Sequence, residues 1–327
     1  MKITKKSKRR LSLGELIVPS AVVGGFVLCM GMLLAGGASE SSPAVTATAL
    51  VIALLVMPVI AVGARSVFEK NEGDLFGEKL LRSVILGAVA VAAICVSVPT
   101  LRTGTDLVCR VMDIKINGKT AALILLGVGA YMASKGGIAL KKFALAAFTF
   151  TAVSAVILLT MSATQGEVSL DGILPVISRD ALTEAADTDL IAKSFLSVFA
   201  PSAVGVIWLS STDRERGKST VGGAVLGTVL GGAVLLVCFL TVAFTIGLRY
   251  GAAHSFPYLE AVSAMTVGKL FMRPEGLVYI SYLWLSLLTL SVCLASTCIA
   301  FRKDKKSINI AAYAAAAVIF ALYLFWG

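Results

Sequence analysis

Nine apolar runs of 16 to 28 residues, separated by clusters of charge, leave this chain of 327 residues few ways to fold. A hydrocarbon layer about 30 Å thick is crossed by roughly that many residues of α-helix. Inside it every backbone N–H and C=O must be satisfied within the segment, which a helix does and an irregular chain does not. The runs lie near 14–37, 44–64, 83–100, 120–135, 143–163, 191–210, 220–247, 276–300 and 308–326. Composition agrees: 57% of the residues are hydrophobic, 15% are charged and the mean hydropathy is +0.91, whereas soluble domains run about 45–50% apolar and about 25% charged. An all-α integral membrane protein is expected. The basic stretch MKITKKSKRR leads into an apolar run interrupted by Pro19 and by Gly24-Gly25. Without a small-residue cleavage site, that run reads as a retained first helix rather than a signal peptide.

The net charge of +10 would suggest a nucleic-acid partner in a soluble protein, but here the loops account for it. With a cytoplasmic N-terminus, the inside segments 1–13, 65–82, 135–142, 211–219 and 301–307 carry 20 of the 29 basic residues and 7 acids. The outside segments carry 9 basic residues and 11 acids, with Glu15 left inside the first run. The inside is therefore at +13 and the outside at −2, as the positive-inside rule requires. Anionic lipid explains the excess, and no nucleic acid is called for.

Catalytic and metal chemistry is poorly supplied. The single histidine, His254, excludes His-rich metal sites and argues against a Ser-His-Asp hydrolase. Five of the six cysteines sit inside apolar runs and none forms a CxxC pair, so neither a disulfide framework nor a zinc site is indicated. A phosphate-binding loop ahead of Lys218 is absent, since no GxxxxGK pattern precedes it and no strand leads into it. The expectation is a protein that is not an enzyme and uses no cofactor.

The most informative feature is a repeat. Pro19-Ser20-Ala21-Val22 in the first run, followed by Gly24 and Gly25, recurs 182 residues later as Pro201-Ser202-Ala203-Val204 followed by Gly205 in the sixth. Proline removes a backbone hydrogen bond and clashes with the carbonyl four residues back, and glycine lets the chain leave helical geometry. Breaks are expected in both helices, which run in opposite senses across the membrane, as in an inverted repeat whose unwound segments meet at the bilayer midplane. Freed N–H groups would hold a carboxylate and freed C=O groups an ammonium, and an amino acid carries both. Ser20, Ala21, Gly24, Gly25, Ser202, Ala203 and Gly205 are the candidate ligand-binding residues. The competing reading is that these small residues let helices pack closely.

Several segments resemble the spore germination permease family, the integral-membrane B subunit of nutrient germinant receptors within the amino acid–polyamine–organocation superfamily. The clearest is FPYLEAVSAMTVGKLFMRPEGLVYISYLW (256–284), with Phe256-Pro257, a short helix, Gly268, Arg273 and Glu275 opening helix 8, and Trp284 within it. FEKNEGDLFGEKLLRSVILG (68–87), YMASKGGIALKKFA (131–144) and GILPVISRD (172–180) add weaker matches in the same order. The resemblance implies ten helices in two inverted sets of five, broken helices 1 and 6, and a nutrient sensor rather than a vigorous transporter. It also implies partner A and C subunits in the plasma membrane or the inner membrane of a spore. Only one run follows helix 8, so the tenth helix of that pattern is missing. The expected organisation is a basic cytoplasmic N-terminus (1–13), a first repeat (14–163), an extracytoplasmic loop (164–190) and an incomplete second repeat (191–327). The alternative function is secondary amino acid transport coupled to H⁺ or Na⁺.

Other residues carry open alternatives. Glu15 is either an intramembrane carboxylate for proton or cation coupling or an interfacial group paired with a nearby basic side chain. Arg273 and Glu275 either gate access from outside or set the depth of helix 8. Trp284 either lines a cavity or packs between helices. The acidic stretch 164–192 either docks a partner or is a solvated loop.

Overall fold

The computed structural model describes residues 13–34, 43–69, 76–111, 117–165, 187–212, 217–247, 256–265, 274–301 and 305–326. They form helices α1 (Leu13–Leu34), α2 (Pro43–Glu69), α3 (Phe76–Val111), α4 (Gly118–Ser134), α5 (Gly137–Gln165), α6 (Thr188–Ser194), α7 (Ser202–Thr212), α8 (Gly217–Thr245), α9 (Pro257–Ser263), α10 (Glu275–Thr297) and α11 (Lys305–Trp326). A π-helical turn, Phe195–Phe199, continues α6, and a 3₁₀ turn, Cys298–Phe301, follows α10. There is no strand among the described residues.

Five segments are long and apolar enough to cross a membrane: Val45–Phe68, Ser83–Cys109, Gly137–Thr164, Ser219–Thr245 and Glu275–Thr297. A sixth is reached if Thr188–Phe199 and Ser202–Thr212, bent by 41°, count as one broken span. Leu16–Met32, Gly118–Ser134 and Asn309–Phe325 are shorter apolar helices. The outward faces are apolar, with Leu55, Val59 and Ile138 about as exposed as surface residues of a soluble protein, which suits lipid and not water. The chain is a helical membrane protein.

Helix α3 outruns the expected run 83–100 at both ends. Its second half keeps helical periodicity through LRTGTDLVCRV: Leu101 and Leu107 are buried, Arg102 and Asp106 face outward, and Thr105 donates to the Leu101 carbonyl at 2.7 Å. Charge interrupted the apolar run without interrupting the helix. Asn117 caps α4 by accepting from the Lys119 N–H (3.2 Å), and Gly136, at φ +93°, makes the tight turn into α5.

The helices sort into two packed groups. Helices α1 and α2 lie against α7 and α8, while α3 and α4 lie against α10 and α11; α5 touches α1, α8 and α10, and α10 also joins the groups by touching α1 and α7. The second group has its own core, in which Leu101, Leu125, Leu126, Leu290, Leu294 and Ile319 are buried together. Counting α6–α7 as the sixth apolar segment, segments one and two pair with six and seven, and segments three and four with eight and nine.

Candidate ligand site

The two Pro-Ser-Ala-Val motifs have different fates. Helix α1 runs unbroken from Leu13 to Leu34 through Pro19, Gly24 and Gly25, so the expected break in helix 1 does not occur. The reason lies in its neighbours. The Ser20 hydroxyl donates to the carbonyls of Leu16 (2.9 Å) and Ile17 (2.8 Å) and not to the Glu15 carbonyl that Pro19 leaves without its N–H, so the continuity comes from the helices packed on α1. The glycines serve close approach. A Cβ on Gly24 would lie 2.6 Å from Phe148 of α5 and 3.1 Å from the Gly227 carbonyl of α8, and one on Gly25 would lie 2.6 Å from Leu288 of α10. Helix α8 answers with Gly223, Gly227 and Gly231, spaced four apart, whose absent side chains make room for Pro19, Ser20 and Gly24. The seam is a small-residue contact of the kind that binds helices in lipid.

The second motif does mark a break. Across it the Ala200 N–H reaches back five residues to Phe195 (2.9 Å), whereas the N–H groups of Ala203 and Val204 reach back only three, to Ala200 (3.0 Å) and Pro201 (3.1 Å). Pro201 has no N–H to offer the Ser197 carbonyl four residues earlier. A π turn, a proline and a restarted helix therefore produce the bend, and such turns recur at functional sites. The positive end of the α7 dipole and the negative end of the preceding helix meet there.

The two motifs are in contact. A Cβ on Gly205 would lie 3.2 Å from Phe26 and 3.6 Å from Val22, both of α1. Ala21 is buried, and Ala203 is half-buried. Ser202 is buried with its hydroxyl donating to the Phe199 carbonyl (2.6 Å) and lying 3.6 Å from the Met57 sulphur of α2. Ser194, just before the π turn, is buried with no hydrogen-bond partner for its hydroxyl among the described residues.

The remaining candidates are dispersed. Glu15 belongs to the first turn of α1, its side chain outside the described residues, as is Arg273. Glu275 is half-buried in the first turn of α10. Trp284 packs between two rings of α5, 6.1 Å from Phe143 and 5.1 Å from Phe150, which fastens α10 to α5. Of the acidic stretch, Asp187 caps α6 by accepting from the Asp189 N–H at 2.9 Å; residues 166–186 lie outside the described residues.

Sequence reasoning missed a buried polar face on α10, formed by Tyr282, Ser286, Thr289 and Cys293. The Tyr282 hydroxyl donates to the Met32 carbonyl of α1 at 3.1 Å, and Phe256 meets its ring edge-on at 5.9 Å. Tyr258 of α9 is buried over the Cys238 thiol of α8. The signal was present in the spacing of four, three and four between those α10 residues, which puts them on one helix face. Set against known proteins, the chain matches no family model, and no curated protein matches it.

Proposed function

We propose that this chain is a membrane-embedded nutrient sensor of the spore germination permease kind. It binds a small amino-acid-like ligand where the broken α6–α7 span faces α1 and passes the signal to partner subunits. The observation that carries the reading is the break at Phe195–Pro201, held against the continuous α1. An interrupted helix exposes the only backbone polarity that a bilayer interior tolerates, and that polarity is useful where it meets a solute. The dipole ends that meet at the break favour a carboxylate beside the start of α7 and an ammonium beside the Ser197 carbonyl, which Pro201 leaves without its helical N–H. Helix α1 meets α7 through Val22 and Phe26, whereas Ser20, Gly24 and Gly25 are turned to α8, α5 and α10. Pairing of segments one and two with six and seven, and of three and four with eight and nine, is what two repeats of five helices would give, and it supports the resemblance read from the sequence.

In this reading all nine apolar segments span the membrane with the N-terminus cytoplasmic, in the plasma membrane or the inner membrane of a spore. A and C subunits are the partners, and the chain performs no covalent chemistry. The test is uptake and binding of labelled amino acids by the chain reconstituted in proteoliposomes. Saturable binding without concentrative uptake is expected. Robust concentrative uptake under a proton or sodium gradient would overturn the sensor in favour of a secondary transporter.

A further inference from the structure

Helix α3 turns an unusual face outward. Ala88, Ala92, Cys95, Pro99, Arg102 and Asp106 are all exposed, and their spacing of four, three, four, three and four keeps them on one stripe of the helix. The stripe is about 27 Å long. The opposite side of α3 is buried against α4, α10 and α11 through residues such as Ala93, Ser97 and Leu101. Outward faces elsewhere are bulky, with Val51, Leu55 and Val59 on α2 and Leu123, Ile124 and Val128 on α4. Side chains as small as alanine instead leave the backbone open to the close approach of another helix.

Two polar features lie on the same stripe. Pro99 has no N–H to give the Cys95 carbonyl four residues earlier, so inside an apolar run that acceptor is without its helical donor. In a bilayer a neighbouring helix is what covers such a group. Arg102 and Asp106, one turn apart at the C-terminal end of the stripe, form no ion pair among the described residues. With the cation ahead of the anion, theirs is also the weaker order for pairing along one helix.

We infer that this face holds a second copy of the chain. Both copies enter the membrane the same way round, so their α3 helices run parallel about a twofold axis normal to the bilayer. Ala88, Ala92 and Cys95 then meet their own counterparts, and the heptad spacing gives the shallow left-handed crossing that keeps the two helices together along the stripe. At its end Arg102 of each copy reaches Asp106 of the other, one turn on. Four charges that are unpaired in one copy become two ion pairs, so the stripe is complementary in charge to itself. The inference is independent of the nutrient-sensing reading.

Cys95 provides the probe, because the other five cysteines are buried or half-buried. The full chain, purified and reconstituted in phosphatidylcholine vesicles at high lipid dilution, is oxidised with copper phenanthroline and separated without reductant. A covalent dimer is expected, since counterpart cysteines on a close helix pair come within disulfide reach, and Cys95→Ser abolishes it. Leu55→Cys in the Cys95→Ser background puts an exposed thiol on the bulky face of α2 and is expected to cross-link several-fold less. Asp106→Arg sets like charges across the axis and should cut Cys95 cross-linking several-fold. Adding Arg102→Asp, which exchanges the two charges, should restore it. No dimer through Cys95, or one that Leu55→Cys matches by random collision, would overturn the inference, as would a dimer indifferent to Asp106→Arg. Cross-linking of Cys95 to a different protein in native membranes, with none in the purified chain, would overturn it in favour of another partner.

Discussion

Replacing Gly227 by alanine should weaken the seam between α1 and α8. The new Cβ would fall 2.6 Å from the Ser20 carbonyl oxygen, 2.8 Å from the Val23 Cβ and 3.0 Å from the Ser20 Cα. Two of these three atoms are backbone, so no rotamer change relieves the clash. Helix α1 has to recede by roughly 0.5–1 Å, and a gap of that size forfeits a quarter to a half of each dispersion contact along the seam. Overpacking of this kind costs about 1–3 kcal/mol, and better helix propensity returns about 0.5–1 kcal/mol. The net loss should be about 0–2.5 kcal/mol. Gly63 of α2 is the internal control: a Cβ there meets nothing within 4 Å, so Gly63→Ala should keep the propensity gain and stabilise by about 0.5–1 kcal/mol. Thermal unfolding of both variants in one detergent, followed by intrinsic fluorescence, measures the difference. Equal midpoints for the two variants, or a higher one for Gly227→Ala, would refute the claim that these glycines exist for close approach.

Trp284→Ala should cost about 2–3 kcal/mol, since it removes a half-buried ring and two aromatic contacts to Phe143 and Phe150; Trp284→Phe should cost less than half of that in the same melting assay. Asp187→Ala should remove the α6 cap at about 1 kcal/mol and speed amide hydrogen exchange at Asp189 and Leu190, with exchange in α4 unchanged as the control.

The broad plan was legible because the bilayer enforces it. Each of the nine apolar runs corresponds to a helix, with the sixth in two pieces, since a helix satisfies its backbone within one apolar segment of that length. The ends of α3 were not legible from hydropathy: Arg102 and Asp106 lower it while lying on the outward face of a helix whose other side still packs. The repeat is the sharper lesson. The same four residues occur in α1 and at the start of α7, yet only the second set breaks the helix. A proline sets the cost of staying helical, and the surroundings decide whether that cost is met. Around Pro19 the α8 glycines clasp the helix on one side. Around Pro201 the preceding turn has already widened to π geometry, and the chain restarts at Ser202. Neither circumstance is contained in the tetrapeptide. The polar face of α10 was readable from its spacing, but the Met32 carbonyl that Tyr282 reaches lies 250 residues earlier in the chain.

The central claim is that the break at Pro201 exists to hold a ligand, and Pro201→Ala tests it most directly. Alanine restores an N–H that can reach the Ser197 carbonyl, so the variant should straighten and melt at a higher temperature. Each of the twenty amino acids is to be screened for stabilisation of the wild-type chain in nanodiscs, and the Kd of any that binds compared between the two proteins. The account predicts that the variant, though more stable, binds at least tenfold more weakly. Unchanged affinity in a straightened and stabilised variant would contradict it.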